Sequence, residues 1–260
     1  MKLFIPREEV TQAKLLPVME LFGPVIQGEG TLAGSQTFFV RLGGCDYRCS
    51  WCDSLHAVIP EQVKAGKTMM SVHDIISALE NLVPDGLHDY WLTLSGGNPS
   101  MHDCSLLITT VQTRGMKVAI ETQGTVFPTW INLCDQITLS PKPPSSGNLT
   151  FIDREWGDKW LKCGKWGSKT CIKIVVFDRR DFEYAKEAIN YLEATFETDE
   201  IDFYFQPGTI QERDFQIEVI EDILNCTRKI IDWVTNEPQL RRVKVLPQVH
   251  ALLYGYEKGK

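Results

Sequence analysis

The sequence predicts an α/β protein in which parallel strands alternate with outer helices. Three observations point there. Seven β-rich runs recur along the 260 residues, apolar residues at helical spacing fall between several of them, and the conspicuous polar clusters sit just after the runs rather than within them. Strands that all run the same way need crossover segments, and the helical patterns supply them.

The glycine-rich stretch FGPVIQGEGTLAG at 22–34 reads as a loop, and TFFVRL at 37–42 is the first strand. Helical spacing from Val72 to Leu82 leads into YWLTLSGG at 90–97, and a second helical pattern, Cys104 to Arg114, leads into MKVAIETQG at 116–124. QITLSPK at 136–142 is followed by PKPPSSGNLT at 141–150, whose proline, glycine and serine content is that of a surface loop. CIKIVVF at 171–177, a helical pattern from Phe182 to Leu192, and IDFYFQPG at 201–208 come next. A last pattern from Gln216 to Leu224 precedes RRVKVLPQ at 241–248. Such a repeat builds a partial (β/α) barrel or a doubly wound sheet, and in both the ligand site lies at the carboxyl ends of the strands. The polar clusters are there: Ser95-Gly96-Gly97-Asn98, Glu121-Thr122-Gln123-Gly124, Ser140-Pro141-Lys142 and Gln206-Pro207-Gly208. There is no internal repeat, and one domain over 1–260 is expected.

Composition narrows the function classes. The chain is 43% hydrophobic and 23% charged with a formal charge of −7, which suits a globular protein and argues against non-specific nucleic-acid binding. No apolar run approaches the roughly 18 residues of a membrane span. The start, MKLFIPREEV, puts proline and charges where a signal peptide needs its apolar centre, so a cytoplasmic location is expected. Of eight cysteines, three are clustered and five scattered (Cys104, Cys134, Cys163, Cys171, Cys226); the scattered five read as small core residues rather than a disulfide framework.

The cluster CDYRCSWC places Cys45, Cys49 and Cys52 at C-x3-C-x2-C spacing. His56 could complete a four-ligand zinc site, and Cys49 with Cys52 alone could form a redox pair that leaves Cys45 unexplained. A third reading is a [4Fe–4S] cluster held by three thiolates, with one iron open to substrate. With Trp51 before the last cysteine and TFFVRL before the motif, the pattern resembles the radical S-adenosylmethionine (SAM) superfamily. That resemblance implies a modified partial (β/α) barrel. It also implies a cluster whose open iron chelates SAM and, when reduced, splits it into methionine and a 5′-deoxyadenosyl radical. Trp51, Cys52 and Asp53 would lie on the cofactor side. The superfamily's Gly-Gly-Glu motif appears here as Gly96-Gly97-Asn98, where the Asn98 carbonyl oxygen could accept from the SAM ammonium without charge assistance. Ser140, Pro141, Lys142 and Gln206 would meet the rest of SAM. AGKT at 65–68 is not a phosphate loop, because Glu61 stands where its first glycine belongs. His56, His73, His88 and His102 share no motif spacing and read as surface or loop residues.

A finer resemblance covers Glu20 to Gly255. FGP-x-IQGEG, FVR-x-GGC-x-Y-x-CSWCDS, SGGNP, ETQGT, SPKPPSS and VLPQ-x-H-x-LL-x-G, in that order, are similar to the family of 7-carboxy-7-deazaguanine synthases. The resemblance implies conversion of 6-carboxy-5,6,7,8-tetrahydropterin to 7-carboxy-7-deazaguanine, a step toward queuosine. It implies SAM, a [4Fe–4S] cluster and Mg²⁺ as cofactors, a reducing electron-transfer protein as partner, and a homodimer. By position, Ile26, Gln27, Gly28, Glu29 and Arg41 would line the substrate pocket, with Arg41 pairing the carboxylate through its planar fork. Ser95 and Glu121 would meet the pterin edge, His250 would close the pocket, and the Ser54 hydroxyl would ligate Mg²⁺, a hard cation suited to oxygen. Two rivals are a glycyl-radical activase with the same cysteine spacing and a non-catalytic zinc or iron–sulfur binding protein.

Overall fold

The computed structural model describes residues 15–163, 169–208 and 216–255. The N-terminal decapeptide on which the signal-peptide reading rests lies outside them, and so does the side chain of Cys163. Nine strands form one sheet in the order β3-β1-β2-β4-β5-β6-β7-β8-β9. Its body is parallel: β2 (Gln36–Leu42), β4 (Trp91–Gly96), β5 (Lys117–Thr122), β6 (Gln136–Leu139), β7 (Thr170–Val176), β8 (Asp202–Pro207) and β9 (Val243–Val245). β1 (Leu16–Ile26) and the short β3 (Thr68–Met70) extend it by antiparallel pairing. No pairing joins β9 to β3 among the described residues, so the expected barrel is an open, partial one.

Apolar residues at alternate strand positions make the core. Leu92 and Leu94, Val118 and Ile120, Ile172 and Ile174, and Phe203 and Phe205 are all buried, facing helices whose apolar stripes cover the sheet. α2 (Val72–Leu82) buries Ile75, Ile76 and Leu79, and its start is set by a reciprocal capping box between Ser71 and Asp74. α5 (Arg179–Thr195) buries Phe182, Ala185, Ile189 and Leu192 after its Asp178 cap. α3 (Ser105–Gln112) and α6 (Gln216–Thr235) occupy the other crossovers expected from sequence, and α4 (Arg154–Cys163) adds one that was not. α1 (Pro60–Gly66) follows the cysteine loop, and α7 (Val249–Tyr254) ends the described chain.

Two departures matter for the site. Between β5 and β6 there is no α-helix, only the 3₁₀ turn Thr129–Leu133, which is where the barrel is trimmed. And the stretch from 22, expected as a loop, continues β1 to Ile26. A register shift between Phe22 and Val25 bends the strand before it delivers Gln27, Gly28 and Glu29 across the ends of the parallel strands.

Candidate active site

A cavity of about 620 Å³ opens at the carboxyl ends of the parallel strands. The two-residue period of a strand explains who reaches it. Where Val40 and Leu42, Leu94, Ile120, Leu139, Ile174 and Phe205 face the core, their neighbours Arg41, Ser95, Glu121, Ser140, Lys173 and Gln206 face the cavity. Register makes them adjacent: Arg41 pairs with Ser95, and Val175 with Gln206. Ser95 Oγ and Gln206 Oε1 are buried with no hydrogen-bond partner among the described residues, as expected of groups awaiting a ligand.

The cysteine loop forms one wall. Cys45, Cys49 and Cys52 all line the cavity. The loop is stitched to its surroundings by side chains and by backbone, the latter where Asn98 N donates to Gly44 O at 2.7 Å, Gly44 N to Ala57 O at 2.8 Å, and Ser50 N to Ser146 O at 2.9 Å. Gly96 and Gly97 are required for this fit. A Cβ on Gly96, which has φ +132°, would stand 2.1 Å from Leu42 O, and one on Gly97 would stand 2.1 Å from Gly44 O. Trp51 Nε1 donates to Ser145 Oγ at 3.0 Å, and Lys142 Nζ lies 5.7 Å over the Trp51 ring while donating to Ser140 Oγ at 3.1 Å. Burial pushes the three thiols up, Cys52 to about 11 with Asp53 adding to it, and it lowers Lys142.

The opposite wall is built from charges. Glu20 Oε2 accepts from Arg41 Nε at 2.6 Å and stands 3.2 Å from His56 Nε2. Burial would raise the Glu20 carboxyl, but Arg41 and His56 outweigh it and leave it below the usual range. Arg41 Nη1 donates to Ser54 Oγ at 2.8 Å, and that hydroxyl donates to Asp53 Oδ1 at 3.0 Å. Deeper, Lys173 pairs with Glu29 and stands 3.9 Å from Glu121 Oε1. Glu121 also accepts from Gln27 Nε2 at 3.2 Å, and Gln248 Nε2 donates to Glu29 at 2.6 Å. Burial alone would raise Glu29 and lower Lys173; Lys173, His250 and Gln248 outweigh it at Glu29, and Glu121 with Glu29 outweighs it at Lys173, so Glu29 titrates well below and Lys173 above its ordinary value. His250 stacks so closely on Gly28 that a Cβ there would lie 2.4 Å from Nδ1.

The donor set fits a thiolate-held cluster. The three thiols act on one another electrostatically across one wall, yet among the described residues no three His, Cys, Asp or Glu side chains converge on a single ion, and His56 is turned to Glu20. The fourth ligand of the zinc reading is therefore paired elsewhere, and three separate thiolates are the donor set of a cluster with one open iron. The Ser54 hydroxyl with the Asp53 carboxylate offers hard oxygens of the kind magnesium takes.

No family model matches the chain. It is 36% identical to the 7-carboxy-7-deazaguanine synthase of Bacillus subtilis, over 95% of this chain and 99% of that one. It is also 36% identical to the synthase of Bacillus cereus, over 94% and 98%. The chain belongs to the 7-carboxy-7-deazaguanine synthase family. Its fold is that of the crystal structure titled QueE from Escherichia coli, with a TM-score of 0.64 at 23% identity, covering 91% of this chain and 95% of that one.

Against the positions the family resemblance assigned, Ile26, Gln27, Gly28, Glu29, Arg41, Asp53, Ser54, Glu121 and His250 line the cavity with the cysteines and the glycines. Two do not. Pro141 is buried behind Ser140 and Lys142, and Asn98 is fully buried; neither is among the residues that line the cavity. Ser146, in the segment expected as a surface loop, is fully buried, because that segment clasps the cysteine loop. His102 and His56 are likewise not simple surface residues: His102 Nε2 bonds Gly43 O at 2.9 Å at the entry to the loop. Sequence reading missed Glu20, Lys173 and Gln248, and it placed Gln123 in a strand-end cluster without giving it a role. Glu20 and Lys173 carried one available signal, a charge inside a β-rich run, which strand burial makes costly unless it is paired.

Proposed function

We propose that this chain is a radical SAM enzyme that converts 6-carboxy-5,6,7,8-tetrahydropterin to 7-carboxy-7-deazaguanine with loss of ammonia, in the biosynthesis of queuosine and related deazapurines. The observation that carries the reading is a single cavity lined both by the three cysteines and by Arg41, Gln27 and Glu121. Cys45, Cys49 and Cys52 hold the [4Fe–4S] cluster, which when reduced supplies the electron that cleaves SAM. Gly96, Gly97, Ser140, Lys142 and Gln206 surround SAM, with the unpartnered Gln206 Oε1 available to an adenine amino group. Arg41, already fixed by Glu20 through Nε, presents its remaining guanidinium edge to the substrate carboxylate. Glu121 and Gln27 take the donors and acceptors of the pterin ring, and Ser54 with Asp53 binds Mg²⁺. His250 on Gly28 covers the site and keeps water out.

Substrate and product differ by one ammonia, so the conversion is redox-neutral and allows SAM to be regenerated. The test is anaerobic incubation of the reconstituted protein with SAM, a reductant, Mg²⁺ and the carboxytetrahydropterin. The expected result is the deazaguanine chromophore, with product exceeding the SAM supplied; anaerobically purified protein that holds zinc and no sulfide overturns the reading. A reducing electron-transfer protein, a single domain and a homodimer belong to the same reading. Analytical ultracentrifugation checks the dimer. A cytoplasmic setting belongs to the same reading, and no helix of the described residues is long and apolar enough to cross a membrane.

A further inference from the structure

Asn98 stands where the radical SAM pattern has a carboxylate, and its surroundings say why. The amide is fully buried and every hydrogen-bonding position on it is used. Oδ1 accepts from Thr122 Oγ1 at 2.8 Å and from Ser100 N at 3.3 Å; Nδ2 donates to Asp46 Oδ1 at 2.8 Å and to Thr125 Oγ1 at 3.4 Å. Nothing is left for an ammonium. Asp46 Oδ1 also accepts from Gln123 Nε2 at 2.5 Å, and the second hydrogen of that amide points to Cys45 Sγ at 3.5 Å. The end of β4, the end of β5 and the first cysteine are therefore joined through one carboxylate oxygen. A glutamate or aspartate at 98 would set two carboxylates in contact and remove the donor that holds Asp46.

We propose that Asn98 is a positioning residue for the cysteine loop and not a ligand of SAM: with Gln123 it holds Asp46, and Gln123 in turn donates to the Cys45 sulfur. This rests on the cluster assignment made above. A hydrogen bond to a ligating sulfur stabilises the reduced cluster and raises its potential. Releasing Asp46 frees Gln123 to turn away from the sulfur, which lowers that potential and loosens the loop.

The test uses anaerobically prepared holoenzyme in four forms: wild type, Asn98→Asp, Asp46→Asn and the double variant. The readouts are chelator-driven cluster loss, midpoint potential by EPR-monitored titration, and the SAM dissociation constant. Asn98→Asp is isosteric, and should lose its cluster about tenfold faster and shift to a lower potential, the scale of one buried hydrogen bond, while SAM affinity stays within about threefold. The double variant restores the donor–acceptor pair between 98 and 46, but the amide nitrogen then faces Gln123 Nε2 in place of the shared oxygen, so cluster retention should return to near wild type while the potential stays low. A role in SAM binding predicts the opposite: a stable cluster, SAM affinity down at least about tenfold, and no rescue by Asp46→Asn. That pattern, or a double variant that loses its cluster as fast as Asn98→Asp alone, overturns the proposal. Absence of any iron–sulfur cluster from wild type instead overturns the functional reading on which it stands.

Discussion

Around the cysteines the cavity wall is held by peptide groups and neutral amides, whereas across the cavity, from Glu20 to Lys173, it is held by pairs of full charges. The first wall places three thiols, and the fixed charges acting on them are few: Asp46, Asp53 and Lys142. It can therefore receive a group whose own charge changes during turnover. The second wall keeps its cations and anions compensated until a polar substrate arrives, because an unpaired buried charge would cost several kcal/mol. The lesson is that one cavity can be preorganised in two ways, and that each should fail differently.

The largest effect is expected where the neutral wall loses a thiol. Changing Cys45, Cys49 or Cys52 to alanine should abolish both iron content and turnover. Cys171→Ala should leave the iron unchanged, since Cys171 is buried beside Thr138, outside the cavity lining. Iron and sulfide analysis of the purified variants decides this.

Next comes the charged wall. Lys173→Met strands Glu29 and should destabilise the protein by about 3–5 kcal/mol in denaturant unfolding. Lys173→Met with Glu29→Gln should recover part of that, because only the partly exposed Glu121, which keeps its hydrogen bond from Gln27, is then left without its cation. The signs follow from the two shifts. Glu29 is lowered, so its contribution is full above pH 4.5 and fades as pH falls toward its folded value. Lys173 is raised, so its contribution is full below pH 10.5 and fades as pH rises toward its folded value. Stability from this pair should be flat between those limits, and the double variant should lose the acid-side dependence; a wild type insensitive to acid in this window would break the comparison.

Smaller effects belong where the walls meet. Ser54→Ala should raise the magnesium needed for half-activation about tenfold while SAM cleavage persists, and Ser54→Thr should keep both because the oxygen remains. Smallest of all, Glu20→Gln keeps an acceptor for Arg41 but drops the charge. Since both groups are partly solvated, KM for the carboxylated substrate should rise only about threefold with kcat little changed.

Most of the site was legible along the chain because its chemistry is local. The cysteine spacing, the Gly96-Gly97 turn and the strand-end clusters are each a few residues long, and the alternation of β-rich and helical patterns foretold the parallel body with strand limits off by up to three residues. Elements lacking a local signature were not foretold: β1 is interrupted by glycine and proline, and the β5–β6 crossover has no helical period to read.

Sequence by itself determined that this is an α/β protein of the synthase family, with three thiols and Arg41 at strand ends, because strand period and ligand spacing are written in consecutive residues. Only tertiary structure decided that Glu20 fixes Arg41, that Lys173 from β7 neutralises Glu29 from the N-terminal segment, and that Asn98 spends its whole amide on Asp46, Thr122, Ser100 and Thr125. Glu29 and Lys173 are 144 residues apart in sequence. A hydrogen bond or ion pair depends on a few ångströms and an angle, and over such a separation those are set by how the sheet stacks its strands.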